Sequence, residues 1–179
     1  MKVSRITGTN ANLMLAQHYL GSVTQARILG AYSDTEAVAV YGRPTRGNVR
    51  FELPATELMR LWSPDVYING VLSQFLASTI RALHNDCPDV ELVVAYADPV
   101  AGHHGGIYRA ANWQYVGKAS QGGPQGFIIN GEYVHARTVN HRYGHASRKR
   151  LEEELGLTVE PVQRVQKHTY YYPLSKRAR

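Results

Sequence analysis

One continuous segment, residues 91–117, constrains the fold of this chain more than any other. It reads ELVVAYADPVAGHHGGIYRAANWQYVG. Residues 90–97 are mostly apolar and do not alternate with polar ones, which predicts a strand buried on both faces in the middle of a helix-covered sheet. Three titratable residues, Asp98, His103 and His104, follow this strand. Because α/β proteins commonly place ligand sites at such a strand end, the segment indicates an enzyme.

The rest of the chain mixes helical and strand-like patterns. The clearest helix covers residues 69–83, with its apolar side chains on one face and Asn69 as the expected N-cap. Four other segments carry clear patterns: a helix over residues 10–19, a hairpin about Asn130-Gly131, a helix over residues 147–155 and a β-type run over residues 167–173. The mixture predicts an α/β (α+β) fold, in which helices flank a mixed central sheet in a single domain.

The charge of the chain is unevenly distributed. Its net charge is +6, and residues 1–134 balance ten Lys or Arg against ten Asp or Glu. Residues 135–179 hold ten basic and four acidic residues. We therefore expect a catalytic core over residues 1–134 and a basic C-terminal extension, residues 135–179, packed on the same domain. The asymmetry favours a polyanionic partner, with nucleic acid as the leading candidate and a solvated basic tail as the alternative.

Cysteine content and hydropathy restrict the environment of the protein. Cys87 is the only cysteine, which excludes a disulfide framework and predicts a reducing, cytoplasmic setting. No stretch approaches the roughly 20 apolar residues of a membrane span, so we expect no membrane partner.

Residues 57–117 resemble the core of the GNAT-type N-acyltransferases. The resemblance rests on ELMRLW, a helix, ELVVAYAD and then IYRAANWQYVG, in that order. In that fold a strand leads into a helix whose N-terminus faces the pyrophosphate of the acyl donor. A parallel strand, a helix carrying a tyrosine and a further strand follow. The resemblance therefore implies a GNAT-like mixed sheet.

A tighter resemblance is to the Mom family of phage DNA-modification proteins, a divergent branch of the GNAT fold. The matching residues span about two-thirds of the chain: ELMRLW, Asn69, Ser73-Gln-Phe-Leu76, Tyr96-Ala-Asp98, Gly102-His103, Ile107-Tyr108, Asn112-Trp113, Tyr133-Val-His135-Ala-Arg137 and Lys167-His168. The resemblance implies a transferase that attaches a carbamoylmethyl group to the exocyclic amine of adenine in double-stranded phage DNA. That modification would protect the DNA from host restriction in the host cytoplasm.

The donor of the transferred group is left open by the sequence. The resemblance places donor binding at the start of the long helix, with Asn69, Gly70 and Ser73. The loop before this helix, residues 65–73, holds a single glycine, which leaves less room for backbone amides to wrap a pyrophosphate. Glycyl-tRNA or an acyl-CoA are the candidate donors. An ordinary acetyl-CoA-dependent N-acetyltransferase and a non-catalytic DNA-binding module are the alternative functions.

Four residues are candidates for catalysis. Asp98 would hold or deprotonate the amine, with a helix cap as the alternative role. Tyr108 matches the tyrosine that often serves GNAT enzymes as general acid, with a core tyrosine as the alternative. Ser73 would hydrogen-bond the donor or an intermediate, unless it is an ordinary helix serine. His18, in the first helix, would contact a flipped adenine, with helix packing as the alternative.

The candidate DNA contacts are basic and aromatic. Basic side chains bind phosphates and aromatic rings stack on bases, and the alternative is a solvated surface. The predicted contacts are Tyr19, His103, His135, Arg137, Arg142, Arg148, Lys149, Lys167 and His168. The rings considered for stacking on the base are Tyr19, Trp62, Trp113 and Tyr115.

Metal binding and assembly are less constrained. A convergence of His18, Asp98 and His103 would suit iron, but the spacing of these residues does not establish it, and we predict no metal. tRNA is a candidate partner only as the donor. The oligomeric state is open, with a dimer as one option.

Overall fold

The computed structural model describes residues 1–18, 20–34, 36–44, 51–64, 70–119 and 123–178. Two compact units result from the internal contacts: unit 1 comprises residues 1–118 and 167–179, and unit 2 comprises residues 119–166. The boundary expected between residues 134 and 135 therefore falls inside unit 2. The reason is that the final strand of the chain returns to the sheet of unit 1, which sequence order alone does not reveal.

The helices and strands largely follow the sequence patterns. The strands are β1 (Ser4–Ile6), β2 (Ile28–Ser33), β3 (Val38–Gly42), β4 (Ala55–Trp62), β5 (Leu92–Ala97), β6 (Gln114–Lys118), β7 (Gly126–Ile129), β8 (Glu132–His135), β9 (Glu160–Val162) and β10 (His168–Pro173). The α-helices are α1 (Gly8–Met14), α2 (Val71–Asp86), α3 (Gly106–Ala110), α4 (Ala136–Tyr143) and α5 (Arg148–Leu155).

Unit 1 is built on a seven-stranded mixed sheet. The strand order is β1-β2-β3-β4-β5-β10-β6, and β4 and β5 form its parallel pair. Strand β10 lies antiparallel between β5 and β6, with His168 opposite both Ala97 and Lys118. The predicted mixed sheet and the predicted final strand are therefore confirmed.

The parallel strands β4 and β5 pair over only part of their length. Ala55, Thr56 and Glu57 pair with Leu92, Val93 and Val94. From Leu58 to Trp62 strand β4 continues without this pairing, while β5 continues to Ala97. The carboxyl ends of the two strands therefore separate, and a space opens between them at the edge of the sheet where ligands bind in α/β folds.

Helices cover the sheet of unit 1 on both faces. Helix α2 packs its apolar side chains, among them Phe75 and Leu83, into the larger core with Tyr41 and Val93. Helix α1 contributes Ala11 to a second core cluster that also holds Leu15, Val40 and Met59. Because both faces are covered, Leu92 to Ala95 of β5 are buried, as the unbroken apolar run predicts.

Unit 2 has its own small core. A three-stranded sheet in the order β8-β7-β9 carries α4 and α5, which pack around Phe127, Val139, Leu151 and Val159. Asn130 and Gly131 have φ angles of 53° and 80°. Positive φ at both central residues is the requirement of a type I′ hairpin turn, so the hairpin predicted between β7 and β8 is confirmed.

Two helix starts differ from their predictions. Helix α2 begins at Val71 with Gly70, not Asn69, as its N-cap, and Asn69 lies outside the described residues. The first helix begins two residues before the predicted range because Thr7 caps it, accepting a hydrogen bond from the Asn10 amide at 3.2 Å. No helix within the described ranges is both long and apolar enough to cross a membrane.

Candidate active site

A cleft of about 670 Å³ lies where the carboxyl ends of β4 and β5 separate. Three parts of unit 1 besides β4 supply its walls: the turn that follows α1 (residues 15–18), the start of α2 and the loop after β5. The lining residues are Gln17, His18, Leu61, Trp62, Ser63, Leu72, Asp98, Val100, Ala101 and His103. The structure thus brings together three of the predicted site residues, His18, Asp98 and His103, although they are far apart in sequence.

Asp98 follows directly on β5, and each of its carboxylate oxygens has a donor. Oδ1 accepts a hydrogen bond from the Val100 amide at 3.1 Å, and Oδ2 lies 2.7 Å from Lys167 Nζ. Burial alone would raise the pKa of this carboxyl, but the hydrogen bond and charge of Lys167, helped by Val100 and His103, outweigh it and lower the pKa. Asp98 is therefore an anion at neutral pH and also caps the turn that follows it.

His18 has a defined proton arrangement. Its Nδ1 accepts a hydrogen bond from the Leu20 amide at 3.0 Å. Burial, the charge of Arg60 and the neighbouring His103 lower its pKa from 6.5 to about 4. At neutral pH the ring is therefore uncharged, and because Nδ1 is the acceptor, the proton sits on Nε2. The cleft is therefore lined by the anionic carboxylate of Asp98 and by the neutral imidazole of His18, with His103 beside them.

Strand β10 supports the loop that carries His103 through contacts of Tyr170. The His103 amide donates to the Asp98 carbonyl at 3.0 Å, and the Tyr170 hydroxyl donates to the His104 carbonyl at 3.2 Å. Gly105 lies over the Tyr170 ring so closely that a Cβ there would fall 2.2 Å from its hydroxyl oxygen. A glycine is therefore required at this position for the loop to reach its place beside the cleft.

Tyr108 lies in the core. It is 9% exposed, and its ring centroid lies 5.1 Å from that of Trp113 and 5.0 Å from that of Tyr170. The alternative role, a core tyrosine, therefore describes its packing, and its role as general acid stays a prediction. Trp113 is only 5% exposed, so its predicted availability for base stacking is wrong.

Two of the predicted donor-binding residues, Gly70 and Ser73, lie at the start of α2, and the third, Asn69, is outside the described residues. The Ser73 hydroxyl donates to the Gly70 carbonyl at 2.7 Å, within the first turn of the helix. Leu72, between them, lines the cleft, whereas Ser73 and Gly70 are not among the lining residues. The helix start is thus next to the cleft, and the assigned donor contacts stay predictions.

The predicted DNA contacts divide between the two units. In unit 1, Lys167 pairs with Asp98, and His168 Nδ1 lies 3.2 Å from the Tyr115 hydroxyl. In unit 2, Arg142, Arg148 and Lys149 are exposed, and the last two pair with Glu152 and Glu153 on α5. Tyr19 and the side chains of His135 and Arg137 lie outside the described part of the chain. The structure therefore gives Lys167 a partner that the sequence did not indicate.

No metal centre emerges from the cleft residues. Within the described ranges, no group of three or more His, Cys, Asp or Glu side chains is arranged to hold a metal ion. His18 and Asp98 have the protein partners given above.

The sequence of the whole chain decides the family. The pattern of the Mom protein family matches residues 1–179. The chain belongs to the Mom family. No match was found among curated protein sequences.

Two solved structures similar to this Mom family protein are acetyltransferases. The ribosomal-protein-S5-alanine acetyltransferase from Vibrio fischeri has a TM-score of 0.52 at 11% identity, covering 97% of this chain and 93% of that one. The aminoglycoside acetyltransferase AAC(6')-Ib, in complex with coenzyme A, has a TM-score of 0.50 at 11% identity, covering 66% and 86%. At this identity the likeness concerns the fold alone, and the predicted GNAT-like fold is confirmed.

Proposed function

We propose that this Mom family protein is a DNA-modifying transferase. It adds a carbamoylmethyl group to the exocyclic amine of adenine in phage DNA and so protects that DNA from host restriction. The observation that supports the proposal most is the cleft between β4 and β5, in which an ionised Asp98 and a neutral His18 line the same space. Family membership over the whole chain supplies the choice of substrate.

Asp98 would act on the amine. An adenine amine is a weak nucleophile inside a duplex, so the base must leave the stack before it can react. An anionic carboxylate at the edge of the cleft accepts a hydrogen bond from the amine and orients its lone pair toward the donor. Because Lys167 lowers the pKa of Asp98, the carboxylate takes up the proton only after the nitrogen has attacked and become acidic.

His18 would act on the oxygen of the donor. Its proton lies on Nε2, because Nδ1 accepts from the Leu20 amide. A neutral imidazole with this proton is a hydrogen-bond donor, and a donor near the reacting carbonyl stabilises the negative charge that develops on its oxygen. This role differs from proton abstraction, which would need a free lone pair on Nε2.

The donor itself is the least specified part of the proposal. Glycyl-tRNA and an acyl-CoA both carry an activated acyl group that the space between β4 and β5 would admit. With glycyl-tRNA, the amine attacks the ester carbonyl, the terminal ribose hydroxyl of the tRNA leaves with a proton, and a rearrangement must follow, because the glycyl and carbamoylmethyl adducts are isomers. An acyl-CoA donor would have to carry a glycyl group and would release the thiol of coenzyme A. DNA, and tRNA where it is the donor, are the proposed partners.

The test is a nucleoside mass spectrum of plasmid DNA after expression of the protein in bacterial cells. The proposal predicts deoxyadenosine carrying an additional C2H3NO, and fragmentation distinguishes the carbamoylmethyl adduct from its glycyl isomer. DNA from cells that express Asp98→Asn serves as the control and should lack the adduct. Unmodified deoxyadenosine in cells with the wild-type protein would refute the proposal.

Acetyl transfer from acetyl-CoA is the second candidate, because the separation of β4 and β5 would admit an acyl-pantetheine chain. Calorimetry with acetyl-CoA distinguishes it. Micromolar binding together with unmodified deoxyadenosine favours this candidate, whereas no binding removes it.

A further inference from the structure

The contact between Lys167 and Asp98 has a second consequence for the cleft. Lys167 directly precedes β10, and His168 pairs with Ala97 of β5, so Lys167 falls opposite Asp98 on the next position of the two strands. Side chains at opposing positions of antiparallel strands lie side by side. The register of the sheet therefore places the two side chains of the ion pair next to each other.

The geometry restrains the Asp98 carboxylate at both oxygens. The Val100 amide holds Oδ1 at 3.1 Å and Lys167 Nζ holds Oδ2 at 2.7 Å. The side chain of Asp98 is 16% exposed and that of Lys167 is 34% exposed, so the pair is only partly solvated. Each carboxylate oxygen has more than one acceptor site, so a substrate N–H can still bind after both contacts are made.

The titratable groups around Asp98 come from three places in the fold. Lys167 faces it from the position before β10, His103 from the loop that also carries Asp98, and His18 from the turn that follows α1, while Leu61, Trp62 and Leu72 supply uncharged walls. His18 is uncharged at neutral pH, so Lys167 is the fixed cation of the set. Because this pair is close and only partly solvated, its ammonium is less available to a polyanion than the exposed, loosely paired cations of α5 are.

We propose that Lys167 is a positioning residue for Asp98 and not a phosphate contact: its ammonium group holds the carboxylate ionised and oriented toward the cleft. The kinetic part of this inference rests on the proposed function, since it assumes that Asp98 acts on the substrate amine. The electrostatic part concerns Asp98 alone and can be tested without any reaction.

The first experiment follows the Asp98 carboxyl by carbon-13 NMR during an acid titration, with Asp98→Asn to assign the signal. The wild-type midpoint should lie below the ordinary value for aspartate. Lys167→Met keeps the aliphatic stem but removes the charge, and it should raise the midpoint, while Lys167→Arg should restore it. Lys118→Met, which removes an exposed lysine from the same end of the sheet, should leave it unchanged. An unchanged midpoint in Lys167→Met would overturn the inference.

The second experiment separates positioning from DNA binding. Lys167→Met should lower the turnover of DNA modification roughly 10-fold to 100-fold, as expected for a displaced catalytic group, while the dissociation constant for duplex DNA and its salt dependence stay unchanged. Weaker binding with a smaller salt slope would identify a phosphate contact instead and contradict the inference. If the wild-type protein modifies no adenine, the proposed function fails, and the titration still decides whether Lys167 holds Asp98.

Discussion

At the scale of single residues, the chemistry proposed for the cleft depends most on Asp98. Asp98→Asn keeps the shape of the side chain and removes its charge, so the Val100 contact can persist while the Lys167 ion pair is lost. We expect DNA modification to fall by about 100-fold or more, the range of a lost acid–base group. Quantified nucleoside spectra measure this. Asp89→Asn, which changes an exposed aspartate ahead of β5, should retain full modification. If DNA modification falls equally in Asp89→Asn, the loss reflects lower expression of the variants and not the removal of a catalytic group.

The lowered pKa of His18 predicts how the stability of the protein depends on pH. Its pKa is about 4 in the folded protein against 6.5 ordinarily, so the unfolded chain binds the proton more readily. Its contribution to stability is therefore complete above pH 6.5 and is lost as the pH falls from 6.5 toward 4. Denaturant unfolding across this range should show a fall in the free energy of unfolding that His18→Gln reduces. An identical pH dependence in both proteins would argue against a half-buried, neutral His18.

At the scale of elements, the loop between β5 and α3 depends on its contact with β10. Gly102 and Gly105 both have φ angles of 75°, so alanine strains the backbone equally at either position. Only at Gly105 would the new Cβ also meet Tyr170. Gly105→Ala should therefore lower the free energy of unfolding by about 1–3 kcal/mol more than Gly102→Ala, the usual cost of overpacking. Equal losses measured by denaturant unfolding would mean that Tyr170 does not support the loop.

Much of this element structure follows from sequence, for identifiable reasons. The unbroken apolar run of β5 and the Asn130-Gly131 pair are local patterns, which predict a buried strand and a hairpin. Both predictions are confirmed. Helix α4 has a polar sequence with few apolar positions, so no apolar periodicity predicts it. The Lys167 contact depends on pairing between strands some 70 residues apart, which no local pattern encodes. The burial of Trp113 likewise results from long-range packing.

At the scale of the whole molecule, the net charge of +6 predicts binding to DNA that weakens with salt. Arg148 and Lys149 are exposed on α5 of unit 2, each beside one glutamate. If both contact phosphates, Arg148→Gln with Lys149→Gln should reduce the slope of log affinity against log salt by about 2. Fluorescence anisotropy with labelled duplex DNA measures the slope. Lys2→Gln, which removes an exposed cation of unit 1, is the control. If Lys2→Gln reduces the slope as much as the double variant does, the effect is one of nonspecific charge.

The proposed product of the whole protein is DNA in which adenine carries a carbamoylmethyl group. The nucleoside mass spectrum of plasmid DNA, taken from cells that express the wild-type protein, tests it most directly. Deoxyadenosine from these cells should carry one carbamoylmethyl group, and deoxyadenosine from cells that express Asp98→Asn should not. Deoxyadenosine without any adduct, in cells where the protein is folded and abundant, would contradict the proposal.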